Sequence, residues 1–247
     1  MPNGGGYTIG PFYNANQDVA SLRDDYNTYA PNFGKQYSIY NGLEMSLNAR
    51  LRNGVQFQVG SSTGQTVTDN CEIRAKVLEI GVSPGAGQNQ APFEACHNAP
   101  GISTRATAAA SYVVPRVDVL LSGTFQSSPG SALAANVTYT NAQLQWAPGT
   151  PAGRVLSNQA TNITLNVLQP GELFGERVNQ VDFRVGKILR FGRQRVNLSL
   201  DMFNLLNPDT ILGYNQSYTV SNGVGCYLVP TSVMTARTVK ITGQFDF

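Results

Sequence analysis

Leu43-Glu-Met-Ser-Leu-Asn-Ala-Arg50-Leu-Arg-Asn53-Gly54-Val-Gln-Phe-Gln-Val59-Gly60 is the stretch that decides the fold. Leu43, Met45, Leu47, Ala49 and Leu51 occupy odd positions, and Glu44, Ser46, Asn48, Arg50 and Arg52 the even ones. Side chains of a strand alternate between its two faces, so this is an amphipathic strand with an aliphatic and a polar side. Asn53-Gly54 then offers the positive φ angles of a tight hairpin turn, and Val55, Phe57 and Val59 alternate with Gln56, Gln58 and Gly60 on the way back.

The same alternation recurs along the chain. Ala106 to Val114 leads to a turn near Pro115-Arg116, and Val117, Val119, Leu121, Gly123 and Phe125 return opposite Asp118, Ser122, Thr124 and Gln126; Leu120 interrupts the pattern once. Val181, Phe183 and Val185 stand opposite Asp182, Arg184 and Gly186, turn at Phe191-Gly192-Arg193-Gln194, and continue as Val196, Leu198, Leu200 and Met202 opposite Asn197, Ser199 and Asp201. A lone final strand sets Val239, Ile241, Gly243, Phe245 and Phe247 against Lys240, Thr242, Gln244 and Asp246. Clear strands thus fall within 38–66, 104–126, 178–206 and 233–247, with polar connections over 67–103, 127–177 and 207–232 and a candidate eighth strand from Tyr7 to Tyr13.

Composition narrows the class. The 247 residues carry 17 Lys and Arg against 15 Asp and Glu with no basic cluster, which gives no electrostatic footprint for nucleic acid. Charged residues are 13% of the chain, about half the usual share of a soluble domain, yet no stretch approaches the roughly 20 apolar residues of a spanning helix. The start, Met1-Pro-Asn-Gly-Gly-Gly6, shows neither the charged nor the apolar region of a secretion signal. Cys71 and Cys96 bracket one segment and are either disulfide partners or unrelated thiols; Cys226 lies far from both.

Alternation alone does not separate a transmembrane β-barrel from a soluble sandwich, since the two differ only in which face meets water. Three features favour the barrel. The strands run about 10 to 15 residues, nearer the 9 to 11 of a tilted membrane strand than the 5 or 6 of soluble sheets. Tight turns join hairpin partners while long polar connections join hairpin to hairpin, and counting crossings puts all three tight turns on one side, as in outer-membrane barrels with short periplasmic turns and long external loops. Aromatic residues Phe57, Tyr112, Phe191, Phe245 and Phe247 gather near the tight-turn ends, as a girdle would, with Tyr37 and Phe125 near the other rim.

Four segments carry a family resemblance. They are Tyr40-Asn-Gly-Leu-Glu44 leading into Asn48-Ala-Arg50-Leu-Arg-Asn-Gly54; Arg177-Val-Asn-Gln-Val-Asp182-Phe-Arg184 followed by Lys187-Ile-Leu-Arg190-Phe191-Gly192; Asp201-Met-Phe-Asn204-Leu-Leu-Asn207; and Pro230 with Ala236-Arg237 before the last strand. In order and spacing they resemble the carboxy-terminal barrel of TonB-dependent outer-membrane receptors, particularly Oar-like members. The resemblance implies an all-β, antiparallel barrel wall in the cell outer membrane, taking part in uptake of a solute that the residues do not identify. Its partners would be outer-membrane lipid and the barrel-assembly machinery, with TonB reached only through amino-terminal regions not visible in this sequence. The ending Lys240-Ile-Thr-Gly243-Gln-Phe245-Asp-Phe247 resembles the signal by which that machinery recognises a final strand, with Thr242 where the family's small residue usually stands.

The expectation is therefore a fragment of a wide barrel, without plug or signal peptide. Closing eight strands alone would force Glu44, Arg50, Asp118, Asp182, Arg184, Asp201 and Lys240 into an interior just wide enough for side chains, whereas about 22 strands leave a wet lumen. The alternatives are a self-contained small barrel acting as a passive pore or adhesin, and a soluble secreted β-sandwich that binds a ligand. No enzyme is expected, and no cofactor or metal. Gly60-Ser-Ser-Thr-Gly64-Gln-Thr66 lacks the Lys of a phosphate loop, Gly85-Ala-Gly87 lacks the rest of a dinucleotide fingerprint, His97 is the sole histidine in a loop, and Asp24-Asp25 is an acidic pair of the kind that usually only solvates.

Overall fold

The computed structural model describes residues 8, 10, 12–14, 27–78, 89–90, 93–156, 160–192, 194–218, 220–221 and 224–246. Seven long strands form its main sheet: β1 Tyr37–Arg50, β2 Gln56–Asp69, β3 Ser103–Val114, β4 Val119–Ser128, β5 Val178–Phe191, β6 Gln194–Phe203 and β7 Thr238–Asp246. They pair in sequence order, each antiparallel to the next, with His97–Asn98 added beside the end of β2. The chain is thus an all-β, antiparallel meander. Among the described residues β1 pairs with β2 alone and β7 with β6 alone, so the sheet is open and no closed barrel is formed. The candidate strand Tyr7 to Tyr13 lies largely outside the described residues; Thr8, Gly10, Phe12 and Tyr13, which are described, belong to no strand.

The three hairpins use different turn chemistry. Between Arg50 and Gln56 the amide of Gly54 donates to the Leu51 carbonyl at 3.0 Å and only Gly54 takes a positive φ, 87°. The two-residue turn expected at Asn53-Gly54 is instead a wider turn ending in a left-handed glycine, which suits Gly and spares Asn53 the strain. Pro115–Asp118 joins β3 to β4 with Arg116 and Asp118 at positive φ, so Val117, expected in the strand, belongs to the turn. Phe191 pairs with Gln194 around Gly192, φ 62°.

Following the register straight across the sheet from Arg50 leads through Gln56, Ser111, Ser122, Arg184 and Asp201 to Lys240. The hairpins close progressively farther beyond this row: at Arg50 and Gln56 themselves, then at Val114 and Val119, then at Phe191 and Gln194. A line through the turns climbs by about 1.5 residues per strand, and with ~3.3 Å per residue and ~4.8 Å between strands this leans the strands by roughly 45°.

The long connections fold into a second layer at the other end of the strands. Asn136–Thr140 pairs antiparallel with Asn162–Asn166, to which Asn89–Gln90 adds in parallel, and Ile211–Tyr214 pairs with Pro230–Val233. A six-residue helix, Cys71–Lys76, follows β2. The buried apolar residues Ile73, Cys96, Leu133, Ala135, Val137, Leu156, Leu165 and Leu168 all lie in this layer. None of the described residues of the seven-stranded sheet contributes to that core.

Candidate functional site

The site of interest is the sheet itself, because its two faces are built for opposite surroundings. Strand parity and register place Leu43, Met45 and Leu47 of β1, Phe57 and Val59 of β2, Tyr112, Leu121 and Phe125, then Val181, Phe183 and Val185, Leu198, Leu200 and Met202, and Val239, Ile241 and Phe245 on one face. That face is open: Leu43 is 63% exposed, Ile241 79% and Phe245 71%. The opposite face carries Glu44, Arg50, Arg105, Asp182, Arg184, Asp201 and Lys240, and Asp201 is only 3% exposed. A soluble sheet buries its apolar side; this one leaves it bare while covering a carboxylate. Within the aliphatic rows the one charged residue is Lys187, and its ammonium turns to the Val117 carbonyl in the neighbouring turn.

The aliphatic rows have a definite upper edge. On that face Thr63 donates to the Thr104 hydroxyl at 3.0 Å, and Ser127 donates to the Asn179 carboxamide oxygen at 2.7 Å. Thr63 and Ser127 each lie about ten residues along the strand from the centre of their hairpin, which at ~3.3 Å per residue and a lean of roughly 45° puts the edge roughly 25 Å above the turns.

The aromatic residues expected in a girdle fall on the apolar face: Phe57 stands beside Ala49 and Ala110, Tyr112 beside Leu121, and Phe191, 61% exposed, beside Gln194. In the final strand Lys240 pairs with Asp201, Gly243 with Leu198, and Phe245 with Val196. Phe247 lies outside the described residues, as do Gly85-Ala-Gly87 and Asp24-Asp25. Gly60 to Thr66 is part of β2, a setting with no helix to receive a phosphate.

On the polar face three of the segments quoted above converge. Arg184 grips Asp201 through Nε and, at 3.1 Å, through Nη2, and the Thr242 hydroxyl donates to the same carboxylate at 3.4 Å. Two residues away, Asp182 accepts the Gln180 amide and, at 2.9 Å, the backbone N–H of Asn204. Asn204, at φ 53°, donates through Nδ2 to the Thr235 carbonyl at 2.8 Å, and Asn207, at φ 50°, accepts the Arg237 N–H at 2.7 Å. Asparagine tolerates the left-handed region better than most residues, so each both bends the chain out of β6 and ties it to the approach of β7. Spacing alone did not reveal this knot, because its partners are separated by long stretches of chain.

A glycine slot was equally hidden. Gly42 and Gly64 are directly opposed, and the Tyr40 ring lies over both: a Cβ on Gly64 would stand 2.5 Å from the Tyr40 hydroxyl and 2.6 Å from Cζ.

At the far end of β2 a clasp closes the first long connection. Cys71 and Cys96 form a disulfide with Cα atoms 4.9 Å apart, Asn70 N–H donates to the Cys96 carbonyl at 3.1 Å, and His97 Nδ1 meets Asp69 Oδ2 at 2.8 Å. Asp69 lies beyond the edge marked by Thr63. Its carboxyl is held below the ordinary value first by the His97 ring and then by the Cys71 N–H. Comparison with family models, with curated proteins and with solved structures gives no match for this chain.

Proposed function

We propose that the chain is a wall segment of an outer-membrane β-barrel of TonB-dependent receptor type, serving uptake of a solute. The observation that carries this is the inverted sheet: its aliphatic face is exposed and adds nothing to the apolar core, while its polar face holds nearly all the charges. Two magnitudes support the membrane reading. An apolar band of roughly 25 Å equals the height of the outward-facing band of outer-membrane barrels, and a lean of roughly 45° sits at the upper end of their strand tilt. The clasped and folded connections at one end, against short turns at the other, agree with external loops over periplasmic turns.

In this reading the aliphatic rows meet acyl chains, β7 is the strand offered to the assembly machinery, and the layer that holds Cys71–Lys76, Asn136–Thr140, Asn162–Asn166, Ile211–Tyr214 and Pro230–Val233 is where a solute or partner makes contact. The receptor assignment rests on the residue resemblance, whose segments converge on the Asp182, Asn204 and Arg237 knot. Energised transport would need a plug and a TonB-contacting region, so these residues expressed alone should not support it; uptake by cells expressing only this segment would refute that.

The face assignment is tested by placing a fluorophore at Leu47 and, separately, at Asn48 in detergent micelles doped with quencher on the acyl chain. Quenching at position 47 and protection at 48 is the expected result. The reverse order would remove the basis for a membrane wall.

A further inference from the structure

We infer that the tight-turn rim of the sheet is a docking surface for the headgroups of anionic phospholipids, with the Lys187 ammonium at its centre. The inference rests on the membrane reading above. It starts from the distribution of charge. Arg50 and Arg52 belong to the first hairpin end, Arg116 to the second, and Arg190, Arg193 and Arg195 to the third, whereas Asp118 and Asp246 are the acids at that end of the strands. Arg193 is placed there by sequence alone and lies outside the described residues. The connections 67–103, 127–177 and 207–232 lean the other way, with seven acids against four bases. A chain whose net charge is only +2 thus has a positive end and a negative end, and the positive rim attracts the opposite charge of a membrane surface.

The place of Lys187 on the sheet makes the partner a lipid. It is the one charged residue within the aliphatic rows, paired with Val119 on one side and Leu198 on the other. A charge at that level is costly in hydrocarbon, and a lysine there carries its ammonium to the nearer interface on an apolar stem. The Lys187 ammonium does so, donating to the Val117 carbonyl in the exposed part of the second turn. One of its three donors goes to that neutral oxygen, and two remain for a phosphate. No ion pair among the described residues includes Lys187, Arg52 or Arg116; Asp118, two residues from Arg116, pairs with Arg190 at 3.2 Å.

The same face accommodates the rest of the lipid. Leu198, opposite Lys187, is 45% exposed, and farther from the turns Val185 stands between Leu121 and Leu200. Acyl chains lie along these side chains while the phosphate meets Lys187, with Arg116 in the adjoining turn as a second cation. A free phosphate would gain the charges and leave the aliphatic surface bare. A zwitterionic lipid would cover that surface, but its own ammonium offsets the attraction. An anionic phospholipid satisfies both, and a cation beside an anionic surface gives about a fivefold preference.

Lipid-selective quenching in the 247-residue chain tests this. Leu189→Cys, beside Lys187 on the same face, and Leu43→Cys, toward the other rim, are each labelled with a fluorophore in a Cys226→Ser background. The proteins are placed in phosphatidylcholine bilayers containing either phosphatidylglycerol or phosphatidylcholine brominated on its acyl chains. At position 189 phosphatidylglycerol should quench with about a fivefold higher relative affinity, and at position 43 the two lipids should be equal. Lys187→Gln should abolish the preference at 189, Arg116→Gln should lower it without altering a strand, and Lys76→Gln, in the connection layer, should leave it intact. Equal quenching at 189, the same preference at 43, or a preference unmoved by both rim variants overturns the inference. So does its loss when inorganic phosphate replaces chloride at constant ionic strength, because the rim would then be reading a free anion. Failure of the membrane reading looks different: neither brominated lipid would quench at either position.

Discussion

Gly64→Ala should destabilise the β1–β2 hairpin, and the sign of that effect should depend on Tyr40. In a strand interior an alanine is ordinarily favoured over glycine by about 0.5–1 kcal/mol, because glycine loses more backbone freedom on folding. Here the added Cβ would lie 2.5 Å from the Tyr40 hydroxyl and 2.7 Å from Cε2, so the ring has to leave the slot it shares with Gly42. Tyr40 is 51% exposed, so about half of a tyrosine side chain, ~100 Å², is covered; at ~25 cal/mol per Å² that contact is worth at most about 2.5 kcal/mol. The balance is a net cost of about 1.5–2 kcal/mol for Gly64→Ala with Tyr40 present, and a gain of about 0.5–1 kcal/mol in a Tyr40→Ala background. Guanidinium titrations of the four proteins in micelles, followed by circular dichroism of the strand band, give the coupling directly. Trp146 lies in the connection layer and would not report on this hairpin. If Gly64→Ala stabilises the protein with Tyr40 in place, or costs the same without it, the ring does not lock these glycines.

Adjacent charge substitutions should separate the two faces. In a bilayer Leu47→Arg, about six residues from the hairpin centre and so roughly 14 Å above the turns, sits near the middle of the apolar band and should cost about 2–4 kcal/mol, whereas Asn48→Arg stays within about 0.5 kcal/mol. Equal costs in partitioning to phosphocholine vesicles would count against the assignment. Asn204→Ala removes the bond to the Thr235 carbonyl and places a less tolerant residue at φ 53°; a loss of about 1–3 kcal/mol is expected, with Asn204→Gly restoring only the backbone part. The Asp69 carboxyl, depressed in the folded chain, adds stability to the clasp above its unfolded value of 3.8, and that contribution disappears as pH falls through the lower folded value. Its carbon resonance should titrate below 3.8, and His97→Ala should move the midpoint upward; an unmoved midpoint would mean the ring is not the cause.

Much of this molecule is written in its period-two pattern. Whether Leu47 and Asn48 point to opposite sides is settled by strand geometry alone, since successive side chains alternate whatever the neighbours do. The tight turns were legible for a similar reason, because local chemistry at Gly54 and Gly192 decides them. The turn at Asn53 departs from the two-residue form only in detail: a Gly in the left-handed region can end either a two-residue turn or a wider one, and the sequence around it does not choose.

What the sequence did not contain is everything that depends on one strand meeting another across a long connection. The pairings of β2 with β3 and of β4 with β5 bridge the long connections from Asp69 to Ser103 and from Ser128 to Val178, and no local signal sets their register; burial and hydrogen bonding of the finished sheet do. The Tyr40 slot exists only because Gly42 lands opposite Gly64, and the knot at Asn204 only because Asp182 and Thr235 arrive beside it. The small sheets of the connection layer are likewise products of tertiary packing around Leu133, Val137 and Leu165. Alternation by itself determined that the chain makes two-faced strands; only the assembled structure decided that, among the described residues, the apolar face stays uncovered and the sheet stays open, because burial and closure belong to the whole arrangement of strands and not to any one of them.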